Sequence, residues 1–345
     1  MTKKKRHHYI PRFYLKRFSV NNEGIFLGLY NLNNRKFVKN APLKNQAYEN
    51  FLYGEDNVLE DALAEMEGNV AKMFYSWTEE KLLYAPPPET NGFKLLKQFI
   101  LCQKFRTPKS GNDTMETLNQ GLKKVFNELK PDDWKSIKNG TLVHLNPIFL
   151  RLRNAINHER LLNFLDCKFI VNLSLLPFIT SDSPVIFYNQ LLEKAGNYIG
   201  ATGLVSKGLQ MFYPIHPRLM ICLYDPEVYD FNIENNDCCS TESIDEVHQL
   251  NGLQLANCNS QLFFDDLISE DYILELREHF EEFRGRARNI NRIINKGNKK
   301  LLFTSFEDVS ISLNLAFFKL KVDPRNFMNE IAPLRHSSFA REIYM

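Results

Sequence analysis

"CKFIVNLSLLPFITSDSPVIFYN", residues 167–189, changes the rhythm of the chain. Short apolar runs rich in β-branched and aromatic residues are cut here by Pro177, Asp182 and Pro184. That punctuation belongs to strands. "LQMFYPIHPRLMICLYD" (209–225) repeats it, with two apolar runs on either side of a stiff Pro-Ile-His-Pro loop. Together the two stretches predict a sheet in the middle of the chain.

On both sides the period is helical. In "DNVLEDALAEMEGNVAKMFYSW" (56–77), Leu59, Leu63, Met66, Val70, Met73 and Trp77 fall at three- and four-residue steps, which makes one apolar stripe. "NGFKLLKQFILCQKFRTP" (91–108) is apolar nearly all round and reads as a buried helix ended by Pro108. Further helices are expected over 112–129, 146–165, 240–260 and 268–297. The last of these shifts from acidic to basic along its length, as the helix dipole favours. Near the start, "GIFLGLYNLNNRKFVKN" (24–40) reads as a β-hairpin turning at Asn33-Asn34, where asparagine tolerates positive φ. Helices first, strands in the middle and helices last argue for α+β rather than alternating α/β. The expectation is one large helix-rich α+β domain, with a central, mainly antiparallel sheet, an N-terminal hairpin and a helical extension over 266–345.

With 345 residues the chain can bury a large core, and 27 phenylalanines imply an aromatic interior. Six cysteines show no CxxC pair, which argues against a zinc framework and for reduced thiols in the cytoplasm. No apolar run reaches membrane-spanning length and no leader-like apolar stretch follows Lys3–Arg6. The net charge of +2 hides an asymmetry. Residues 1–17 carry seven basic residues and no acid. Such an arm attracts phosphates or an acidic surface, or is simply solvated.

The arm leads into "RHHYIPRFYLKRF" (6–18). Pro11 suits the first turn of a helix, and Phe13, Tyr14 and Phe18 can dock that helix on the body. His7 and His8 are then held in place although they stand near the chain start. Extended neighbours face opposite ways, so one should point inward; His8, closer to the docked helix, is the expected one. Polar residues also interrupt apolar stripes elsewhere. Gln103 and Arg106, three apart, share one helix face, and a buried arginine needs an anionic partner. Asn251 and Gln254 continue an apolar stripe, and as buried amides they need hydrogen bonds. Ser181, Asp182 and Ser183 follow an apolar strand, where Asp182 suits pairing with Arg106, metal binding, a base or an Asx-turn. His216 sits in its stiff loop either as a ligand-binding or as a structural residue. Glu60 and Glu67, seven apart at the edge of a helix stripe, suit a Mg²⁺ or Mn²⁺ site or a solvated flank.

"HHYIPRFYLKRF", "QKFRTP", "FITSDSPV" and "FYPIHPRLMICL", in this order, resemble a mostly bacterial family catalogued as a domain of unknown function, over roughly residues 6–265. The resemblance implies a defence or mobile-element setting and no established activity. At the loop where that family shows SDNP, this chain has Ser183 in place of Asn. The opening is also similar to the start of an HNH nuclease motif, but no histidine follows between His8 and His144 to complete a ββα metal unit.

Two functions fit these residues. One is a phosphate-substrate enzyme, nuclease-like, in which His7 and His8 do acid–base work with Asp182 and Arg106 stabilises phosphate charge. Gln103, Ser181, His216, Asn251, Arg6 and Arg12 would then contact nucleic acid or nucleotide. The other is a non-enzymatic nucleotide- or protein-binding module around a structural polar core. Walker, GxGxxG, GxSxG and zinc signatures are missing from the sequence. Oligomeric state is not legible.

Overall fold

A computed structural model of the chain describes residues 5–55, 57–111, 147–197, 201–231, 237–284, 288–296, 299–307, 311–330 and 333–336. Strand β1 (Arg6–His8) leads over a bend at Tyr9–Ile10 into helix α1 (Arg12–Leu15) and a 3₁₀ turn at Lys16–Phe18. Pro11 precedes α1 as its N-cap, with extended backbone. Tyr14 and Phe18 are fully buried and Phe13 is partly buried, so the opening element docks as its aromatics predict. Each fully buried aromatic contributes roughly 1.5–3 kcal/mol.

The hairpin follows as β2 (Phe26–Asn31) and β3 (Lys36–Pro42), antiparallel. Its turn differs from expectation in one respect: the positive φ falls on Arg35 (53°), not on the asparagines. Asn31 instead accepts hydrogen bonds from the backbone of Asn33 and Asn34, an Asx-type turn. β4 (Tyr48–Asn50) then pairs antiparallel with β1. Helix α2 (Val58–Thr78) buries Leu63, Val70 and Trp77 of the expected stripe together with Phe74, while Leu59, Met66 and Met73 are partly buried. Helix α3 (Asn91–Phe105) ends three residues before Pro108, and residues 108–111 are helical again. Pro108 therefore opens the next helical turn as well as following α3. Helix α4 (Pro147–Asn157) and a 3₁₀ turn at Glu159–Leu162 cover the expected 146–165 helix. The expected helix at 112–129 lies outside the described residues.

The sheet region holds β5 (Asp166–Asn172), β6 (Thr180–Ser181), β7 (Ile186–Tyr188), the short helix α5 (Gln190–Lys194), β8 (Gln210–His216), β9 (Leu219–Tyr224), β10 (Tyr229–Phe231) and β11 (Cys238–Thr241). Five of these strands form one sheet in the order β11-β5-β9-β8-β7, antiparallel except for the β11–β5 pair. All six residues of β9 are buried, because helices cover both faces of this sheet. Met211 and Tyr213 of β8 pack with Ile221 and Leu223 of β9 against Val70 and Phe74 of α2 and Phe99 of α3. Phe212, Met220 and Cys222 face the other way, into a second core that includes Val247 and Leu250 of helix α6 (Ile244–Asn257).

Strand β12 (Gln261–Phe264) joins a second sheet, β3-β2-β12-β6, and so links the N-terminal hairpin to the end of α6. Gly28 is required at this junction, since a Cβ there would lie 2.2 Å from the Phe264 ring. Helix α7 (Glu270–Phe280) packs beside α6. The expected helix over 268–297 stops after a 3₁₀ turn at Glu281–Phe283. Residues Arg288–Lys296 form strand β13, antiparallel to β14 (Lys299–Glu307), and β15 (Phe318–Leu320) pairs with β10. Among the described residues of 266–345, helical structure is confined to α7 and to 3₁₀ turns at Glu281–Phe283 and Pro324–Phe327. Isoleucines 290, 293 and 294 mimic a helical period, but β-branched residues beside the Gly297-Asn298 turn signal favour a hairpin. The architecture is α+β with mixed, mainly antiparallel sheets. No helix among the described residues is long and apolar enough to cross a membrane.

Candidate functional site

The two opening histidines do point to opposite sides, in the reverse sense to expectation. His7 is 0% exposed, while His8 is half-buried. The bend at Tyr9–Ile10 breaks the alternation between strand and helix, so closeness to α1 does not decide which ring turns in. His7 Nδ1 accepts the Tyr53 backbone N–H at 3.0 Å, and its ring stacks on Tyr53 at 5.4 Å. His8 Nδ1 donates to the Gln46 carbonyl at 3.1 Å, because a carbonyl can only accept. The Nε2 of a neutral His8 is then the ring's basic nitrogen. Burial, then the positive charges of Arg12 and Arg6, hold the His8 pKa below the ordinary imidazole value.

Arg106 has the anionic partner that its burial demands, but the partner is not Asp182. Its Nη1 donates to Glu67 of α2 at 2.6 Å, and its Nε donates to Gln103 at 3.1 Å. Gln103 in turn donates to the Tyr9 carbonyl at 3.0 Å. The guanidinium also reaches the Tyr53 hydroxyl, which donates to the His8 carbonyl at 3.1 Å. Arg106 is 1% exposed. Tyr53 therefore joins His7 to Arg106, and these two nominated residues share one buried cluster. Tyr53 was missed in the sequence because it lies in an irregular loop with no stripe to violate. Glu67 stood in the sequence as a cation ligand or a solvated flank; instead one of its oxygens is the anionic partner of Arg106.

Asp182 belongs to a different network. Its Oδ1 accepts from Asn259 N–H at 2.7 Å, and its Oδ2 accepts from the backbone of Ser260 (2.7 Å) and Gln261 (3.0 Å) and from the Ser260 hydroxyl (3.0 Å). Burial pushes its pKa up, against four donors that favour the ionised form. Helix α6 grips the same loop from its inner face. Asn251 accepts from Ile179 N–H and donates to the Pro177 carbonyl; Gln254 accepts from the Ser181 hydroxyl and donates to the Pro184 carbonyl. Asn257 donates to the Ser183 carbonyl. The buried amides are satisfied, as their burial required, and they hold residues 177–185 in one conformation. The expected pocket shared by the histidines, Arg106 and Asp182 thus divides into two networks, one around Arg106 and one around Asp182.

His216 Nδ1 accepts the Arg218 backbone N–H at 3.0 Å, closing the turn between β8 and β9. Burial, with help from Arg17 and Arg218, lowers its pKa to about 4. An unfolded His216 binds its proton near the ordinary value of about 6.5, so the folded chain resists protonation. Its contribution to stability is full above pH 6.5 and is lost as pH falls from 6.5 to 4, about 3 kcal/mol in all. His216→Asn keeps an acceptor two residues before Arg218 N–H and removes the titration. Denaturant melts of this variant are expected to show a shallower stability loss between pH 6.5 and 4 than the parent; equal slopes would show that His216 does not set it.

What remains open to solvent is the outer side of the first strand. Arg6 and Arg12 are exposed around the half-buried His8. Arg6 donates to Asn45 Oδ1 at 3.2 Å and lies 4.8 Å from the Tyr48 ring centre. The Tyr48 ring also approaches His8, 5.7 Å between centroids. The patch offers two fixed cations, an imidazole and an aromatic face. Residues 1–4 of the basic arm lie outside the described residues. A separate cleft of about 290 Å³, between Tyr84–Pro88 and the sheet edge at Lys168 and Asp237, contains none of the nominated residues.

Over residues 6–267 the sequence matches a family model described as "Protein of unknown function (DUF4238)". No curated protein and no solved structure matches the chain. The matched region runs from the first strand to just past β12, and so takes in both polar networks and the His8 patch. The chain belongs to the DUF4238 family.

Proposed function

We propose that the chain engages a phosphate-bearing substrate, with nucleic acid as the favoured class, at the Arg6–His8–Arg12 patch, and acts on it as a nuclease-like enzyme. The observation that carries this reading is His8, held by the Gln46 carbonyl with a depressed pKa between two arginines. A neutral imidazole beside fixed positive charge is the form that takes a proton from a nucleophile while guanidinium groups bind phosphate. Tyr48 adds a face on which a base can stack. Arg106 and Asp182 serve this proposal as scaffold: the first ties α2 and α3 to the Tyr9 backbone, the second ties β6 to β12. The setting is the cytoplasm, where the six free cysteines stay reduced, and a role as a bacterial defence effector fits the family resemblance.

A second reading, a binding module without catalysis, draws on one observation. The carboxylates Asp182 and Glu67 are both committed elsewhere, so neither activates a histidine. One experiment separates the two. Purified chain is incubated with labelled DNA and RNA, with and without Mg²⁺ or Mn²⁺, over a range of salt concentrations. Arg6→Ala with Arg12→Ala is expected to weaken binding and lower the magnitude of the salt slope by about 2, one per lost phosphate contact. His8→Ala is expected to abolish turnover while binding persists. Binding without turnover in the parent selects the binding module, and a parent that binds neither polymer refutes both polyanion readings. Arg6 and Arg12 are exposed, so unchanged thermal melts of that variant show that any lost binding is not lost folding.

A further inference from the structure

Away from the patch, two helices bring three metal-ligating side chains together. His248 of α6 and Glu275 and His279 of α7 offer ligand atoms that all lie within 4.8 Å of one another. Glu275 and His279 are four apart and so share one face of α7. His248 Nε2 and His279 Nδ1 stand 2.9 Å apart. Without a metal, one of these nitrogens must keep a proton and donate to the other. Two nitrogens bound to one tetrahedral zinc stand about 3.3 Å apart, so the pair needs to open by only a few tenths of an ångström.

The convergence is built into the packing. Gly252, one turn along α6 from His248, lies against Phe280, the neighbour of His279; a Cβ at Gly252 would come within 2.7 Å of that ring. The absent side chain lets the helices approach closely enough for the histidines to meet. The His248 ring is held between Tyr272 and Phe280, at 5.7 and 5.3 Å between centroids, so its orientation is set before any ion arrives. Two imidazoles and a carboxylate are a borderline-soft donor set that suits Zn²⁺ over Mg²⁺. Glu275 and His279 are exposed, which leaves the remaining coordination positions to water.

We propose that His248, Glu275 and His279 form a Zn²⁺ site that cross-links α6 to α7. The bound ion replaces the proton shared by the two imidazoles, and that proton leaves to solvent. α6 is also the helix whose inner face grips the 177–185 loop, so an ion here braces that clamp from outside. The site is independent of the proposed reaction at His8.

The test uses the full chain without a polyhistidine tag, stripped of metal by chelation. Zn²⁺ alone is titrated by calorimetry, and Co²⁺ is followed by its visible absorption. One ion per chain, a tetrahedral Co²⁺ spectrum and a higher melting temperature with Zn²⁺ are the expected results. His248→Ala and His279→Ala are each expected to weaken Zn²⁺ binding ~100-fold or more, and Glu275→Gln by less. Metal-free melts of the exposed-site variants His279→Ala and Glu275→Gln check that lost binding is not lost folding. Absent Zn²⁺ binding in the stripped parent, or affinity unchanged in the His248→Ala/His279→Ala double variant, would overturn the proposal.

Discussion

Asp182→Ala is expected to lower folding stability by about 3–5 kcal/mol, the first of two large losses expected at polar positions of this chain. The carboxylate is fully buried and receives four hydrogen bonds, three of them from consecutive backbone N–H groups of residues 259–261. A hydrogen bond to a charged group contributes about 1.5–3 kcal/mol, but water entering the vacated space recovers part of the sum. Asp182→Asn is the sharper probe. It keeps the size and turns one acceptor into a donor that faces an N–H, so it too is expected to destabilise, by about 2 kcal/mol or more. Urea unfolding of both variants measures this. A loss under about 1 kcal/mol for Asp182→Ala would show that the loop holds itself without the carboxylate.

Glu67→Ala is the second. It strands the Arg106 guanidinium, which is fully buried and cannot shed its charge. Removing one member of a buried pair costs about 3–5 kcal/mol. Replacing both, as Glu67→Leu with Arg106→Met, removes the charge along with its partner, and such swaps are often close to neutral. The double variant is therefore expected to recover most of the loss seen in Glu67→Ala. The same unfolding assay, run as a double-mutant cycle, gives the coupling directly. A double variant no more stable than Glu67→Ala would mean that Gln103 and Tyr53, left without the guanidinium, hold most of the network energy.

These two residues also mark where sequence reasoning reaches its limit. Burial of Arg106 was legible, because it continues an apolar stripe, and with it the need for an anion. The choice of anion was not, since Asp182 and Glu67 both lie near apolar runs. The available cue was position: Glu67 stands one turn after Leu63 at the edge of a stripe that packs toward α3. Strands β8 and β9 were legible because burial on both faces leaves β9 and the middle of β8 as near-continuous apolar runs. β13 was not, because its isoleucine spacing also fits a helix and only the Gly297-Asn298 turn signal separates the two. The inward histidine was misjudged for a local reason, the two-residue bend between β1 and α1.

The partner of β2 has a consequence for the order in which the chain is made. β2 pairs on one side with β3, sixteen residues or fewer away, and on the other with β12, more than two hundred residues later. On the ribosome, synthesis at about 5–20 residues per second keeps that second edge waiting for more than ten seconds. Throughout that wait the hairpin presents an unpaired strand edge, open to other nascent chains. α1 waits too, since the Tyr14 hydroxyl hydrogen-bonds to Thr180 and Pro214. Residues synthesised early are thus among the last to find their place, and the edge they leave open needs shielding until β12 arrives.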